Sequence, residues 1–428
     1  MTLRRFAFAA LAVPLFTAAC VSNETMNTSV TPPVVDPIFT SYVAIGTSIG
    51  AGMVAGGLDS VGQKNSYPYL LATAMGLTPG VDWHWPKIGG AGCPAPYTNV
   101  MTGTRASTVA CGYRDPASTY AFVNNVSVPS LRLAQVENVL RLDFPSTDVL
   151  SLVQFITGSV SPLELALRAR PTFVTFEVTM NDVLGAATRG DTTLLTRSDS
   201  FQAQFTRIAN RLDASGAKVA VATAALPTRA PRYNMAAVLF CLKNGGCPAP
   251  FPAATVPFSL ATFTVDATCS PASAGVTTLI PFAATAGILG ALSAGGTASL
   301  NCGTGVVKAP GGIPNADTLT LTTTAELTAI TNRVAAYNTF INAQATTRGW
   351  AVMDLDATLA GQASKIPAFP NFAAYPTITS PTTVPDTLMG TFFSQDGVHP
   401  TAAGQKVVAN AFVTAINAKF GTTLSAIP

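Results

Sequence analysis

The chain has 428 residues, 48% of them hydrophobic and 11% charged, with 24 Lys+Arg against 21 Asp+Glu. This weakly charged, apolar composition excludes a disordered chain, and the absence of a basic run argues against a nucleic-acid partner. The length suffices for one large core or two smaller ones.

The first stretch reads as a targeting segment. Arg4 and Arg5 precede an apolar run from Phe6 to Phe16, too short to span a bilayer, and Thr17-Ala18-Ala19-Cys20 closes it. Residues 1–19 are thus a signal peptide. The small residues before Cys20 resemble a bacterial lipoprotein signal, which implies a lipidated Cys20 and a membrane partner reached through that anchor. The expected location is the cell envelope, at the outer membrane. Because Thr17 is unusual at its place, secretion or a periplasmic location is the alternative. Residues 20–38, polar and Pro-rich, form the tether, and 39–428 the domain.

Residues 41–47 form a first strand ending in Gly46-Thr47-Ser48-Ile49-Gly50-Ala51-Gly52. A strand that stops among glycines presents the Ser48 hydroxyl at a sheet rim, where a nucleophile belongs; the competing reading is a serine that caps a helix. Tyr67 to Leu77 follows as a helix entered through Ser66. Val81 to Ile88 is a second strand leading to Gly89-Gly90-Ala91-Gly92. His84 sits on that strand without a second histidine nearby and is read as packed, outside the site. Leu131 to Leu142 has helical spacing, Phe173 to Val178 is an apolar strand running into Thr179-Met180-Asn181-Asp182, and Phe201, Phe205, Ile208 and Leu212 mark an amphipathic helix before the strand Ala217 to Ala225.

From Asn244 to Val307 the only charged residue is Asp266, and residues 228–320 read as an insertion. The alternation resumes with a capping box at Thr323-x-x-Glu326, a helix through Ile341, the strand Trp350 to Leu355 and a last helix from Thr401 to Phe420. Strand and helix in alternation predict an α/β fold, a three-layer sandwich around a central parallel sheet. With Cys20 set aside, six cysteines remain: Cys93, Cys111, Cys241, Cys247, Cys269 and Cys302. An even number in an exported chain argues for disulfides, with nearest neighbours in sequence as the expected pairs and the insertion stapled by them. No Cys-x-x-Cys spacing suggests a metal.

The chemistry converges on the loop Ser394-Gln395-Asp396-Gly397-Val398-His399-Pro400, which holds one of only two histidines. A serine attacking a carbonyl needs a base near neutral pKa, and His399 supplies it. Asp396, three residues earlier, can hold the ring's other nitrogen; alternatively both residues only turn the chain into the last helix. Asn181 and backbone N–H groups at strand ends can donate to the oxyanion, since the carboxyl ends of parallel strands share one rim. Such chemistry needs neither metal nor cofactor.

On these residues the chain resembles the SGNH, or GDSL-type, hydrolase family. Gly46-Thr47-Ser48-Ile49 falls on its Gly-Asp-Ser-Leu block, glycines 89–92 on its second block, Thr179 to Asp182 on its Gly-x-Asn-Asp block, and Asp396-Gly-Val-His399 on its Asp-x-x-His block. The resemblance implies a flavodoxin-like fold, Ser48 as nucleophile, His399 as base, Asp396 as its orienter, and an oxyanion hole of Ser48, Asn181 and one of Gly89, Gly90 or Gly92, with Gly90 chosen. Three departures are Thr47 for Asp, Ile49 for Leu and Thr179 for Gly. The Gly-x-Ser-x-Gly elbow of α/β-hydrolases also matches at 46–50, but that fold needs several strands before its nucleophile, and only 28 residues separate Cys20 from Ser48.

The expected activity is hydrolysis of acyl esters, an esterase or lipase acting through an acyl-enzyme. The nearly uncharged insertion suggests an apolar cap that favours lipid substrates. A carbohydrate O-deacetylase is the alternative within the family. A non-catalytic surface binding protein is the alternative outside it, and the Thr47 and Thr179 substitutions are its best support. Acyl length and oligomeric state are not legible.

Overall fold

The computed structural model describes residues 35–100, 103–108, 122–138, 147–158, 160–247, 256, 258–313, 316–367, 370 and 388–428; for 147–151, 312, 313, 316 and 317 it describes the backbone only. The signal, Cys20 and most of the tether lie outside the described residues.

Four strands, β1 (Tyr42–Ile45), β2 (Phe173–Phe176), β3 (Lys218–Ala222) and β4 (Ala351–Met353), pair in parallel in that order. β1 and β2 are buried at every residue, without the alternation of a half-exposed sheet, because helices cover both faces. Phe173 and Phe176 point to opposite sides of β2. Phe173 meets Phe420 at 5.9 Å between ring centroids, while Phe176 meets Phe205 at 5.8 Å. Phe420 closes one helical layer and Phe205 belongs to the other. The architecture is a three-layer α/β sandwich.

An edge segment extends the sheet beyond β1. Residues 124–128 run parallel to β1, with Ala44 N donating to Asn124 O (2.8 Å), Val126 N to Ala44 O (2.8 Å) and Val128 N to Gly46 O (2.9 Å). Counted with this segment, the strand order is 2-1-3-4-5, the doubly wound order of flavodoxin-like sheets. In such sheets the chain leaves the first and third strands in opposite directions, which opens a crevice between their carboxyl ends. Here that crevice lies between the ends of β1 and β2.

The six helices that matter for the site are α1 (Ser48–Ala51), α2 (Tyr67–Ala74), α3 (Asn181–Arg189), α4 (Ser198–Ala214), α5 (Thr324–Arg348) and α6 (Ala402–Phe420). The expected apolar stripe of α4 is buried, and Phe201 stacks on Tyr337 of α5 at 3.8 Å. On the other face Tyr67 of α2 stacks on Phe412 of α6 at 4.9 Å. The capping box of α5 is formed, with Thr323 N donating to Glu326 Oε2 at 2.7 Å. Among the described residues, no helix is long and apolar enough to cross a membrane.

Two expected elements are absent as such. Residues 81–88 form no strand: Trp83 makes one bridge to Pro79, and its ring and that of Trp85 pack around Tyr69. Pro86 has no N–H for a ladder, so the place beside β1 goes to residues 124–128, whose Asn124 N–H reaches His84 O at 2.7 Å. The helix expected over 131–142 is a single 3-10 turn, Leu133–Gln135, up to residue 138; 139–146 lie outside the described residues. The N–H groups at the start of this turn are capped by side chains, that of Arg132 by Gln135 and that of Leu133 by Asp182, which ties the turn to the start of α3.

Residues 228–320 build structure of their own. Strands Ala316–Thr320, Val306–Ile313, Ala298–Asn301 and Phe263–Val265 make a second sheet in that order, and Tyr233–Met235 pairs with Leu279–Pro281. Disulfides join Cys241 to Cys247 and Cys269 to Cys302, two of the expected pairs. Cys93 is also disulfide-bonded; its expected partner, Cys111, lies outside the described residues.

Candidate active site

At the carboxyl end of β1 the chain enters α1 with Thr47 as N-cap, and Ser48, half-buried, is the first helical residue. The turn needs its glycines. A Cβ on Gly46 would lie 2.7 Å from Ser127 Oγ, and one on Gly50 would clash with the same atom. Three side chains from distant parts of the chain fix the turn: Gln405 Nε2 donates to Ile49 O (2.9 Å), Asn125 Nδ2 to Gly50 O (3.0 Å), and Glu177 accepts from Thr47 N (3.1 Å).

Asn181 opens α3 just past β2, across the crevice. Its Nδ2 donates to Leu131 O at 3.0 Å, which leaves the second amide hydrogen for another acceptor. Asp182 beside it is buried and accepts from Leu133 N (3.0 Å) and Thr196 Oγ1 (2.6 Å), bracing the start of α3 against the 131–133 turn. Burial pushes the Asp182 carboxyl up to about 6 despite these donors.

The third component is the loop before α6. His399 Nδ1 lies 2.7 Å from Asp396 Oδ2, and Asp396 Oδ1 accepts from the N–H groups of Val398 and His399, each at 2.9 Å. Gly56 N also donates to Asp396 Oδ2. Gly56 has a left-handed φ of +64°, and a Cβ there would sit 2.6 Å from the Tyr97 ring, so only glycine presents this N–H. Burial alone would raise the Asp396 pKa. The charge and hydrogen bonds of His399, with the Val398 N–H, hold the carboxyl well below the usual carboxylate range. It is ionised at any pH at which the imidazole works.

Ser48 and Asn181 line one pocket together with Val398 and Pro400, the residues on either side of His399. Apart from Thr47, Ser48 and Asn181 the lining is apolar, including Met180, Leu184, Leu226, Leu355 and Phe392. The cavity is a slot of about 40 Å³. Its lining comes from the α/β fold except for Ala230, near the start of the 228–320 insertion, and none of it lies between 231 and 354.

Gly90 stands apart from this group, in an exposed turn with nothing within 4 Å of a Cβ built on it, and no residue of 89–92 lines the pocket. Sequence reading passed over Ser130, which follows the edge segment, adopts a left-handed φ of +61° and directly precedes Leu131, the acceptor of the Asn181 amide. Its signal was the dipeptide Pro129-Ser130, a turn mark no stronger than many others.

No family model matches the chain, and no curated protein matches it in sequence. Among solved structures it is similar to a phospholipase A1 from Streptomyces albidoflavus NA297, at 14% identity over 89% of this chain and 99% of that one, with a TM-score of 0.33. It is also similar to an extracellular lipase from Streptomyces rimosus, at 15% identity over 89% of this chain and 99% of that one, with a TM-score of 0.32. Likenesses this distant assign no activity.

Proposed function

We propose that the chain is a serine ester hydrolase of the SGNH, or GDSL-type, family. The observation that carries this reading is the convergence of Ser48, Asn181 and the residues flanking His399 on one apolar pocket, with His399 bonded to a buried, ionised Asp396.

In the proposed mechanism the Ser48 hydroxyl attacks the ester carbonyl while His399 takes its proton through Nε2. Asp396 keeps Nδ1 protonated and stabilises the imidazolium that forms. The tetrahedral oxyanion accepts from the Ser48 N–H and the free hydrogen of Asn181 Nδ2. Neither Ser130 nor Gly90 lines the pocket, and we assign the third donor to the Ser130 N–H because Ser130 follows the segment paired with β1 and directly precedes the carbonyl bonded to Asn181. His399 then protonates the leaving alcohol, and water, activated by the same imidazole, releases the acid from Ser48.

The slot favours a short apolar acyl group. Its 40 Å³ corresponds to about three water positions, room for a chain of a few carbons but not for a long fatty acyl chain without displacement of side chains such as Met180. p-Nitrophenyl butyrate is therefore expected to exceed both the acetate and the palmitate in kcat/KM, and a maximum at palmitate would overturn this assignment. A maximum at acetate, with acetate release from acetylated xylan or peptidoglycan, would favour the deacetylase reading. The decisive variant is Ser48→Ala, expected to lose about 10³-fold or more in kcat with an unchanged thermal midpoint. Full activity in that variant would end the serine mechanism.

Two formed disulfides suit an oxidising compartment, which supports export. We propose attachment of the exported chain to the envelope through Cys20. Mass spectrometry of the mature N-terminus tests this, a diacylglyceryl adduct on Cys20 being the expected result and cleavage elsewhere the refutation.

A further inference from the structure

Position 47, next to the proposed nucleophile, carries Thr where the family block that it resembles carries Asp. In the fold a carboxylate is present there all the same. Glu177, the residue just past β2, is buried and places both its oxygens 3.0 Å from Thr47 Oγ1, with Oε2 also 3.1 Å from Thr47 N. Its own N–H donates to Ile45 O at 2.9 Å, which keeps it level with the end of β1. Thr47 is the N-cap of α1, yet its side chain makes no capping bond to the helix. An N-cap threonine ordinarily accepts from the helix's own N–H groups. Here the hydroxyl donates sideways to Glu177.

Burial is costly for an acid, and it pushes Glu177 up to about 7 even with the Thr47 hydrogen bonds opposing. Other hydroxyls crowd the same spot. A Cβ on Gly46 would lie 2.7 Å from Ser127 Oγ, 3.2 Å from Tyr67 Oη and 3.4 Å from Glu177 Oε2, and the buried Ser127 hydroxyl has no hydrogen-bond partner among the described residues. A buried acid ringed by hydroxyls directly beneath the Ser48 turn contributes little to stability. What it does is fix the backbone of the residue before Ser48.

We propose that Glu177 is a positioning residue for Ser48, and that its carboxylate, delivered from the adjacent strand, replaces in space the acid that Thr47 lacks in sequence. By holding both the N–H and the hydroxyl of Thr47, it sets where the Ser48 hydroxyl and N–H point. The inference rests on Ser48 being the nucleophile. It also removes one of the two supports for a decayed, non-catalytic scaffold, since the Thr47 substitution comes with a compensating partner, and leaves the Thr179 substitution without a structural explanation.

The test compares wild type with Glu177→Gln, Thr47→Val and the exchange Thr47→Asp with Glu177→Thr, each assayed for kcat and KM on p-nitrophenyl butyrate and for thermal midpoint at pH 8. Glu177→Gln and Thr47→Val are expected to lower kcat about 10- to 100-fold, the usual cost of a misplaced reacting group, and for Glu177→Gln KM is expected to stay within about two-fold because Glu177, unlike Thr47, does not line the pocket. The midpoint of Glu177→Gln is expected to stay level or rise, since a buried charge is removed. The exchange variant is expected to recover most of the kcat. Unchanged kcat in Glu177→Gln, or a loss that accompanies a lowered midpoint in both single variants, would overturn the inference. If wild type is inactive and Ser48 fails to react with a fluorophosphonate, the nucleophile reading falls and takes this one with it. If wild type is active and Glu177→Gln equals it, only the role of Glu177 falls.

Discussion

Asp396 and Asn181 illustrate how much chemistry single side chains here are arranged to perform. Asp396→Asn keeps the shape of the loop but offers Nδ1 of His399 the wrong partner, and kcat is expected to fall about 10⁴-fold in a steady-state ester assay. Asn181→Ala removes one oxyanion donor, for an expected loss of about 10²- to 10³-fold in kcat with little change in KM. The buried acids predict a pH dependence of stability. Burial raises Glu177 to about 7 and Asp182 to about 6, so their contribution is full below their unfolded pKa values of 4.5 and 3.8 and is lost as pH rises through 6 and 7. Asp396 is depressed, so its contribution is present above 3.8 and lost as pH falls. The thermal midpoint is expected to peak near pH 4 and to decline toward pH 8, and Glu177→Gln is expected to flatten that decline. Differential scanning calorimetry across this range checks both. Ser48, Asn181, Asp396 and His399 stood out in the sequence because small and polar residues followed strand runs in a meaningful order and His399 is one of only two histidines. Glu177 and Ser130 were not, because a carboxylate's partner 130 positions away and a serine's left-handed backbone leave no local trace in the chain.

At the scale of elements, periodicity succeeded where burial is one-sided or complete. The stripe of α4, the runs of β1 and β2 and the capping box of α5 are where the residues placed them. It failed at 81–88, where aromatic residues alternate as in a strand but pack as a cluster around Tyr69, and at 131–142, where the described residues make a single 3-10 turn tied to α3 by Asp182. In both cases tertiary partners decided between local conformations of similar intrinsic preference. The α5 cap offers a clean measurement, because both of its bonds are local. Thr323→Ala is expected to cost about 1 kcal/mol in urea unfolding, with ester hydrolysis unchanged.

For the molecule as a whole, the α/β alternation made the layered architecture readable, whereas the second sheet inside 228–320 was hidden in a composition of small and apolar residues with almost no charge. The disulfide between Cys269 and Cys302 closes a loop of 33 residues there. Loop-closure entropy gives such a link roughly 3–4 kcal/mol, so replacing both cysteines with serine is expected to lower the thermal midpoint. No pocket-lining residue lies between 231 and 354, so the loop closed by this disulfide contributes none of the lining, and the variant is expected to keep wild-type kcat below its melting range.

The order in which the parts of the site are synthesised has its own consequence. Ser48 lies near the start of the chain, while its proposed base and the base's carboxylate lie within the last 33 residues, and Asp396 is held by the N–H of Gly56 across 340 positions. A ribosome adding residues from the N-terminus exposes Ser48 long before His399 exists. Every truncated product that ends before position 396 therefore lacks the means to activate its serine. On the proposed mechanism, nascent and prematurely terminated chains are inert toward the esters around them, and hydrolytic competence arrives only with the final helix.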